Sequence, residues 1–507
     1  MNHWPILPIL LPMFMGALLL LVARTSMSLK RSLSIVATLL QLPFAVILLL
    51  QAGQGTEVYA AGNWIPPYGI VLVVDRLAAF MLLVTAVLAA AAVLYASRGD
   101  DSIGRNFHAL FQFQLMGING AFLTGDLFNL FVFFEILLIA SYALLLHGAG
   151  ASRVRAGLHY VLLNLLGSAL FLIAVGTLYG LLGTLNMADL AVRVTQVQPE
   201  DAPLIAAAAM LLLVVFGLKA AMFPLYFWLP RAYASATAPV AALFAIMTKV
   251  GLYSILRVYT LLFGEGAGEL AQLVNDWLWP AALVTIALGA IGALAASTLS
   301  GLVAYLVVLS VGILLSGIAI GNQGALTAAL YYLAHSTWIS GALFLMAGML
   351  GRMRGPRFGV RLLAGPKLPN GLLLSGLFFI AAISVVGMPP LSGFIGKVLL
   401  LGSAGTGATA GWLYATVLGG GLIVLVALSR AGSTLFWRHD PAPTAGEPLD
   451  PVRLAAMAVL LLSSPVMVLF AAPLLDYLDA TALQLLEPSG YIDSVLSTLA
   501  VRPGAES

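Results

Sequence analysis

Four ionised side chains stand in stretches otherwise apolar enough to lie in lipid: Glu135, Lys219, Lys249 and Lys397. His159 and His335 are embedded in the same way. Each charge at a helix centre costs on the order of 3 kcal/mol, so the four together oppose insertion by roughly 10 kcal/mol. Charges kept at that cost are functional by default, and these three residue types share one chemistry, the uptake and release of protons.

Lys249 lies about ten residues into its span, roughly 15 Å from an interface by helical rise, which is too deep for its stem to carry the ammonium to water. Glu135, in "FVFFEILLIASYALLLHG", is the only carboxylate deep in a helix, and Lys219 is its expected partner because pairing lowers the cost of both charges. Such a pair is either a static salt bridge or a proton switch, since moving the carboxylate changes the proton affinity of the lysine. His335, in "YYLAHSTWISGALF", is placed to relay protons or to serve as a hydrogen-bonded core histidine. His159 is a possible secondary site, nearer a helix start and read, like His147, as structural or interfacial.

Prolines accompany two of the lysines. Pro224 follows Lys219 in "FGLKAAMFPLYFWLP", and Pro389 and Pro390 precede Lys397 in "GMPPLSGFIGK". Proline removes a backbone donor, and the carbonyls it frees are tolerated inside a membrane only where they face protein or a water-filled cavity. A lysine beside such a break has access to water. The stretches "MFPLYFW" and "MPPLSGF" also resemble each other, which suggests an internal repeat.

The elements that must carry these residues follow from composition. Of 507 residues 61% are hydrophobic and 8% charged, so the chain is an integral membrane protein. Apolar blocks of spanning length recur about fourteen times, without the two-residue alternation of a membrane barrel, and predict an all-α polytopic fold. The first, from Pro5 to Ala23, is too long and lacks the basic flank of a signal peptide, so it is read as a retained helix. Residues 1–106 would hold helices one to three and 107–264 a first five-helix repeat, helices four to eight. Residues 265–437 would hold an inverted second repeat, helices nine to thirteen, and 438–507 the fourteenth helix with an amphipathic, acidic tail at the outer interface or against a partner. Helices seven and twelve would be broken.

Sixteen of the 23 Lys and Arg fall in loops after odd-numbered helices, while Glu57, Asp189, Glu200 and Asp201 stand after even-numbered ones. The positive-inside rule makes the odd loops cytoplasmic and places both termini outside. With 0 Cys the chain supplies no disulfide, thiolate metal site or iron–sulfur ligand. No metal-ligand spacing stands out, no cofactor is expected, and no basic tract suggests nucleic acid.

Together these residues resemble the antiporter-like subunit family shared by respiratory complex I, membrane-bound hydrogenases and Mrp-type multisubunit cation/proton antiporters. The similarity runs from "VDRLAAFM" at Val74 to the thirteenth helix. The family pattern of a glutamate in helix five, lysines in the broken seventh, the eighth and the broken twelfth, and a histidine in the eleventh is matched by Glu135, Lys219, Lys249, Lys397 and His335. Two longer stretches, one opening "FPLYFWLPRAYA", resemble the D-type chains of the Mrp antiporters, whereas complex I relatives usually show a WLPDAH-like sequence at Trp228–Ala234. The A-type chains carry a long membrane extension beyond this pattern. The resemblance implies a bacterial plasma-membrane subunit that conducts protons along a lateral Glu/Lys/His axis, exchanges Na+ or K+ for H+, and needs the other subunits of a hetero-oligomeric complex. The rival reading is a proton-pumping membrane subunit of a complex I or hydrogenase-type redox machine.

Overall fold

The computed structural model describes residues 2–441 and 446–498. In chain order the helices are α1 (Leu7–Leu21), α2 (Met27–Gln54), α3 (Arg76–Ala96), α4 (Phe107–Leu123), α5 (Leu127–Leu145), α6 (Ala151–Leu182) and the short α7 (Met187–Val194). There follow α8 (Ala202–Ala220), α9 (Trp228–Ser235), α10 (Ala238–Phe244), α11 (Met247–Leu261), α12 (Asn275–Ala295), α13 (Leu299–Ile320) and α14 (Gln323–Met353). The last third holds α15 (Gly355–Phe358), α16 (Gly371–Val386), α17 (Ser392–Ser403), α18 (Ala408–Gly432), α19 (Pro451–Leu469), α20 (Ala471–Leu486) and α21 (Ser489–Leu496). An antiparallel ribbon of β1 (Glu57–Ala60) and β2 (Val71–Val74), pairing Glu57 with Val74, closes the loop between α2 and α3.

Among the described residues, 12 helices are long and apolar enough to cross a membrane. The expected fourteen differ at two places. Phe107–Leu123 has 17 residues and carries Gln112, Gln114 and Asn119 on its buried faces. The expected twelfth span is two shorter apolar helices, α16 and α17, interrupted after Gly387. Polar residues start the spans where the sequence puts them: Asp75, Asp126, Thr298 and Asn322 each accept a hydrogen bond from a backbone N–H in the first turn of α3, α5, α13 and α14. Residues 239–259, which include Lys249, are all buried.

Two ionic clusters hold opposite ends of the bundle. At one end Arg257 of α11 grips Asp75 with Nη1–Oδ2 at 2.5 Å and Nη2–Oδ1 at 2.7 Å, with both side chains almost fully buried. The expectation of four embedded ions thus omits this buried cation and its acid. Tyr491 of α21 lies over the guanidinium at 5.1 Å, and Asp479 of α20 accepts from Gln323 and Thr327. The amphipathic tail therefore folds back onto its own chain, as far as residue 498; residues 499–507 lie outside the described residues.

At the other end Asp101 accepts from Arg31 at 2.6 and 2.8 Å and pairs with His108 at 3.0 Å. Asp100 pairs with Arg352 at 3.0 Å, Glu447 with Arg352 and Arg453, and Asp450 with Arg98. These four acids lie on the arginine-rich face and neutralise part of it, a correction to the simple separation of signs. Burial pushes the Asp101 carboxyl up, yet hydrogen bonds from Arg31 and His108 outweigh it and hold the group down at about 2. For Asp100 burial wins over Arg352 and Arg453, and its carboxyl is raised.

Removing one partner of a buried pair strands the other charge, whereas removing both does not. Arg257→Leu is therefore expected to destabilise by about 3–5 kcal/mol, and Asp75→Leu with Arg257→Leu to recover much of that loss. Thermal unfolding of the purified chains followed by tryptophan fluorescence checks both.

Candidate functional site

The sequence-predicted groups fall on helices that pack in series: α5 on α6, α6 on α8, α8 on α11, α11 on α13, α13 on α14 and α14 on α17. Glu135 stands on α5, Lys219 in the last turn of α8, Lys249 on α11, His335 on α14 and Lys397 on α17. The three lysines and His335 are between 0 and 6% exposed.

Glu135 and Lys219 do not form the expected direct ion pair. Glu135 instead accepts a hydrogen bond from Ser168, and Lys219 Nζ donates to Asn164 Oδ1 at 3.2 Å and to the Asn164 carbonyl at 3.5 Å. Ser168 and Asn164 are four apart on α6 and so share one face, with Ser168 Oγ also 3.0 Å from the Asn164 carbonyl oxygen. A chain of hydrogen bonds across α6 thus connects the acid and the base. Phe134 contributes a ring 5.8 Å from Lys219 Nζ.

The break after α8 occupies Ala221–Phe227. Ala221 takes a left-handed conformation at φ 61°, and Pro224 lies within the turn. The carbonyls freed there find donors: Leu218 O accepts from Trp228 Nε1 at 3.1 Å, and Gly217 O from the Met222 N–H at 2.9 Å. Thr285 of α12 takes the Phe223 N–H at 3.0 Å. Next to the break α11 passes closely, since a Cβ on Gly251 would stand 2.5 Å from Ala220 N and 2.9 Å from Lys219 C. Only glycine permits that approach two residues from Lys249. Lys249 itself is wholly buried and donates to Ser310 Oγ of α13 at 3.2 Å.

The second break, Gly387–Leu391, contains Pro389 and Pro390. Lys397 Nζ donates to the carbonyls of Val385 at 3.0 Å and Val386 at 2.7 Å, the last of α16. An ammonium is favourable at the negative end of a helix dipole, so the break creates the binding site for its own lysine. His335 Nδ1 lies 2.8 Å from Ser392 Oγ, and Ser392 Oγ lies 2.8 Å from Ser464 Oγ of α19. Ser464 also meets Ser384 Oγ at 2.7 Å and accepts from the Ser392 N–H at 3.2 Å.

His159 stands apart from this series. It is exposed, with Nδ1 3.2 Å from the Arg155 carbonyl, in a cleft at the arginine-rich end of the bundle. Sequence reasoning missed Asn164, Ser168, Ser310 and Ser464. The available signal was a polar side chain inside an apolar run, as in "LLNLLGSALF", but helical serines commonly bond their own preceding turn and carry no mark of a tertiary role. Among the described residues no cluster of His, Cys, Asp or Glu could hold a metal ion.

Fold and site together define a multi-pass membrane protein with ionisable groups held inside its helix bundle. The chain belongs to the NADH:quinone oxidoreductase/Mrp antiporter transmembrane family, whose model matches residues 124–424. It is 41% identical to a probable K(+)/H(+) antiporter D-type chain of Rhizobium meliloti (strain 1021), covering 100% of this chain and 99% of that relative. It is 39% identical to the Na(+)/H(+) antiporter D-type chain of Bacillus subtilis (strain 168), covering 98% and 100%. A chain of the Mrp complex from Dietzia sp. DQ12-45-1b matches with a TM-score of 0.87 at 27% identity, over 98% of this chain and 100% of that one. The expected resemblance to the D-type antiporter chains is thereby borne out, and these relatives are parts of transporters rather than enzymes.

Ser464→Val would leave the Ser384 hydroxyl and the Ser392 N–H without this partner in a buried setting, at about 1–3 kcal/mol for each group left unsatisfied. A lowered thermal midpoint is expected for Ser464→Val and a near-normal one for Ser464→Thr, measured on the purified chain in detergent.

Proposed function

We propose that this chain is the proton-conducting subunit of a multisubunit antiporter that exchanges H+ for Na+ or K+ across a bacterial plasma membrane. The observation that carries the reading is a series of proton-exchanging groups, the half-buried Glu135 and the buried Lys219, Lys249, His335 and Lys397, on helices linked through α6 and α13, with a helix break beside Lys219 and Lys397. The two relatives support the coupling, since one is named for exchange of H+ with K+ and the other with Na+.

In this reading Glu135 biases Lys219 through Ser168 and Asn164, Lys249 and His335 relay, and Lys397 exchanges protons with a neighbouring subunit or with one side of the membrane. Pro224, Pro389 and Pro390 hold the two breaks open. Residues 107–264 and 265–437 form two blocks of opposite orientation, which sets one break in each. The arginine-rich face is cytoplasmic and both termini are outside.

The test uses inside-out vesicles from cells lacking their own antiporters and expressing the chain with its operon neighbours. A proton gradient is established, Na+ or K+ is added, and collapse of the gradient is recorded. Wild type should collapse it and Lys219→Ala should not, at equal assembly on a native gel. Full exchange in the assembled Lys219→Ala variant would remove Lys219 from the path, and no collapse with either cation would favour a redox-driven pump. Asn164→Ala should slow exchange by about tenfold, the effect of losing one hydrogen bond to a charged group.

A further inference from the structure

The cleft that contains His159 measures about 580 Å³ and lies between the start of α6, the end of α9 and the turn joining α12 to α13. Arg155, His159 and Arg231 line it together with Ser152, Thr298 and Tyr305, and no carboxylate does. Four other arginines on this face, Arg31, Arg98, Arg352 and Arg453, are paired with acids, whereas Arg24, Arg105, Arg357, Arg361 and Arg438 are exposed outside the cleft. Among the described residues the guanidinium groups of Arg155 and Arg231 have no hydrogen-bond or ion-pair partner, and both residues are exposed. The N-termini of α6 and α13 and the C-termini of α9 and α12 all open on the same space, so its positive charge rests on the two guanidinium groups.

Arg155 and His159 belong to a longer stripe. Leu162 and Leu166 follow at helical spacing on α6, each 57% exposed, and Ile173 continues the line at 58%. One helix face thus presents positive charge at the end of a span and an uncovered apolar track along its length. That is the inverse of an anionic phospholipid, whose phosphate lies at the interface and whose acyl chains run along the span.

We propose that the cleft of Arg155, His159 and Arg231 binds the phosphate headgroup of an anionic phospholipid, with an acyl chain along Leu162, Leu166 and Ile173. The site is separate from the proton axis, so it stands or falls independently of the transport reading.

The test is lipid binding to the full-length chain, purified with whatever chains accompany it, stripped of lipid and titrated with phosphatidylglycerol or phosphatidylcholine of identical acyl chains. Bound lipid is counted by native mass spectrometry. Wild type should prefer phosphatidylglycerol by about tenfold or more; Arg155→Gln with Arg231→Gln should abolish the preference, and Arg155→Lys with Arg231→Lys should retain it. Equal retention of both lipids by wild type, or an unchanged preference in the assembled Gln variant, would overturn the proposal. Displacement of the lipid by millimolar inorganic phosphate would replace it with a free-anion site. Capture of an accompanying chain by a photo-cross-linker at Ser152 would replace it with a protein contact.

Discussion

An ammonium group carried into a lipid-filled layer must find oxygen there, and the interior of this bundle is arranged around that need. Lys219 meets an asparagine amide, Lys249 a serine hydroxyl and Lys397 two backbone carbonyls. None of the three touches a carboxylate, which matters because a tight ion pair would stabilise the charged lysine and resist loss of its proton. Neutral oxygens lower the cost of burying the ammonium. Backbone carbonyls are free for this work only where a helix stops, so the interruption after Val386 is a requirement of the Lys397 site rather than an incidental kink.

The two ends of the series are built differently. At the first, Glu135 and Lys219 are connected by hydrogen bonds across α6 through Ser168 and Asn164. At the second, Lys397 is held by α16 while His335 is tied through Ser392 to Ser464, which links α14, α16, α17 and α19 at one point. Lys249 in the middle has neither device. Its position instead depends on the close approach of α11 to the α8 break that Gly251 allows.

Much of this was legible in the sequence, for identifiable reasons. Spanning helices announce themselves by apolar length, and a lysine or glutamate within one is conspicuous because it is costly, so Glu135, Lys219, Lys249 and Lys397 were found without a structure. Proline marks the interruptions for the same reason. The partners were not legible. Asn164, Ser168, Ser310 and Ser464 cost little as residue types, and their importance arises from tertiary neighbours that no local pattern encodes. The direct Glu135–Lys219 pair was a sound electrostatic expectation that the geometry of α6 overrides. Arg257 escaped notice because it lies near a helix end, where arginine is ordinary, and only the fold brings Asp75 to it from 182 residues away.

The arginine-rich face shows why counting charges and pairing charges answer different questions. The bias of Lys and Arg to one side is a statement about insertion, and it holds whether or not the side chains later find acids. Folding then partitions them. Arg31, Arg98, Arg352 and Arg453 are drawn onto Asp101, Asp450, Asp100 and Glu447 and become struts between α2, α3, α14 and α19. Of these only Arg453 is buried, and the Arg98 side chain stays 46% exposed. Arg155 and Arg231 are held by no acid, and no carboxylate lines the space between them. What remains of the positive face for recognition from outside is therefore set less by the number of arginines than by which acids the fold has already assigned to them.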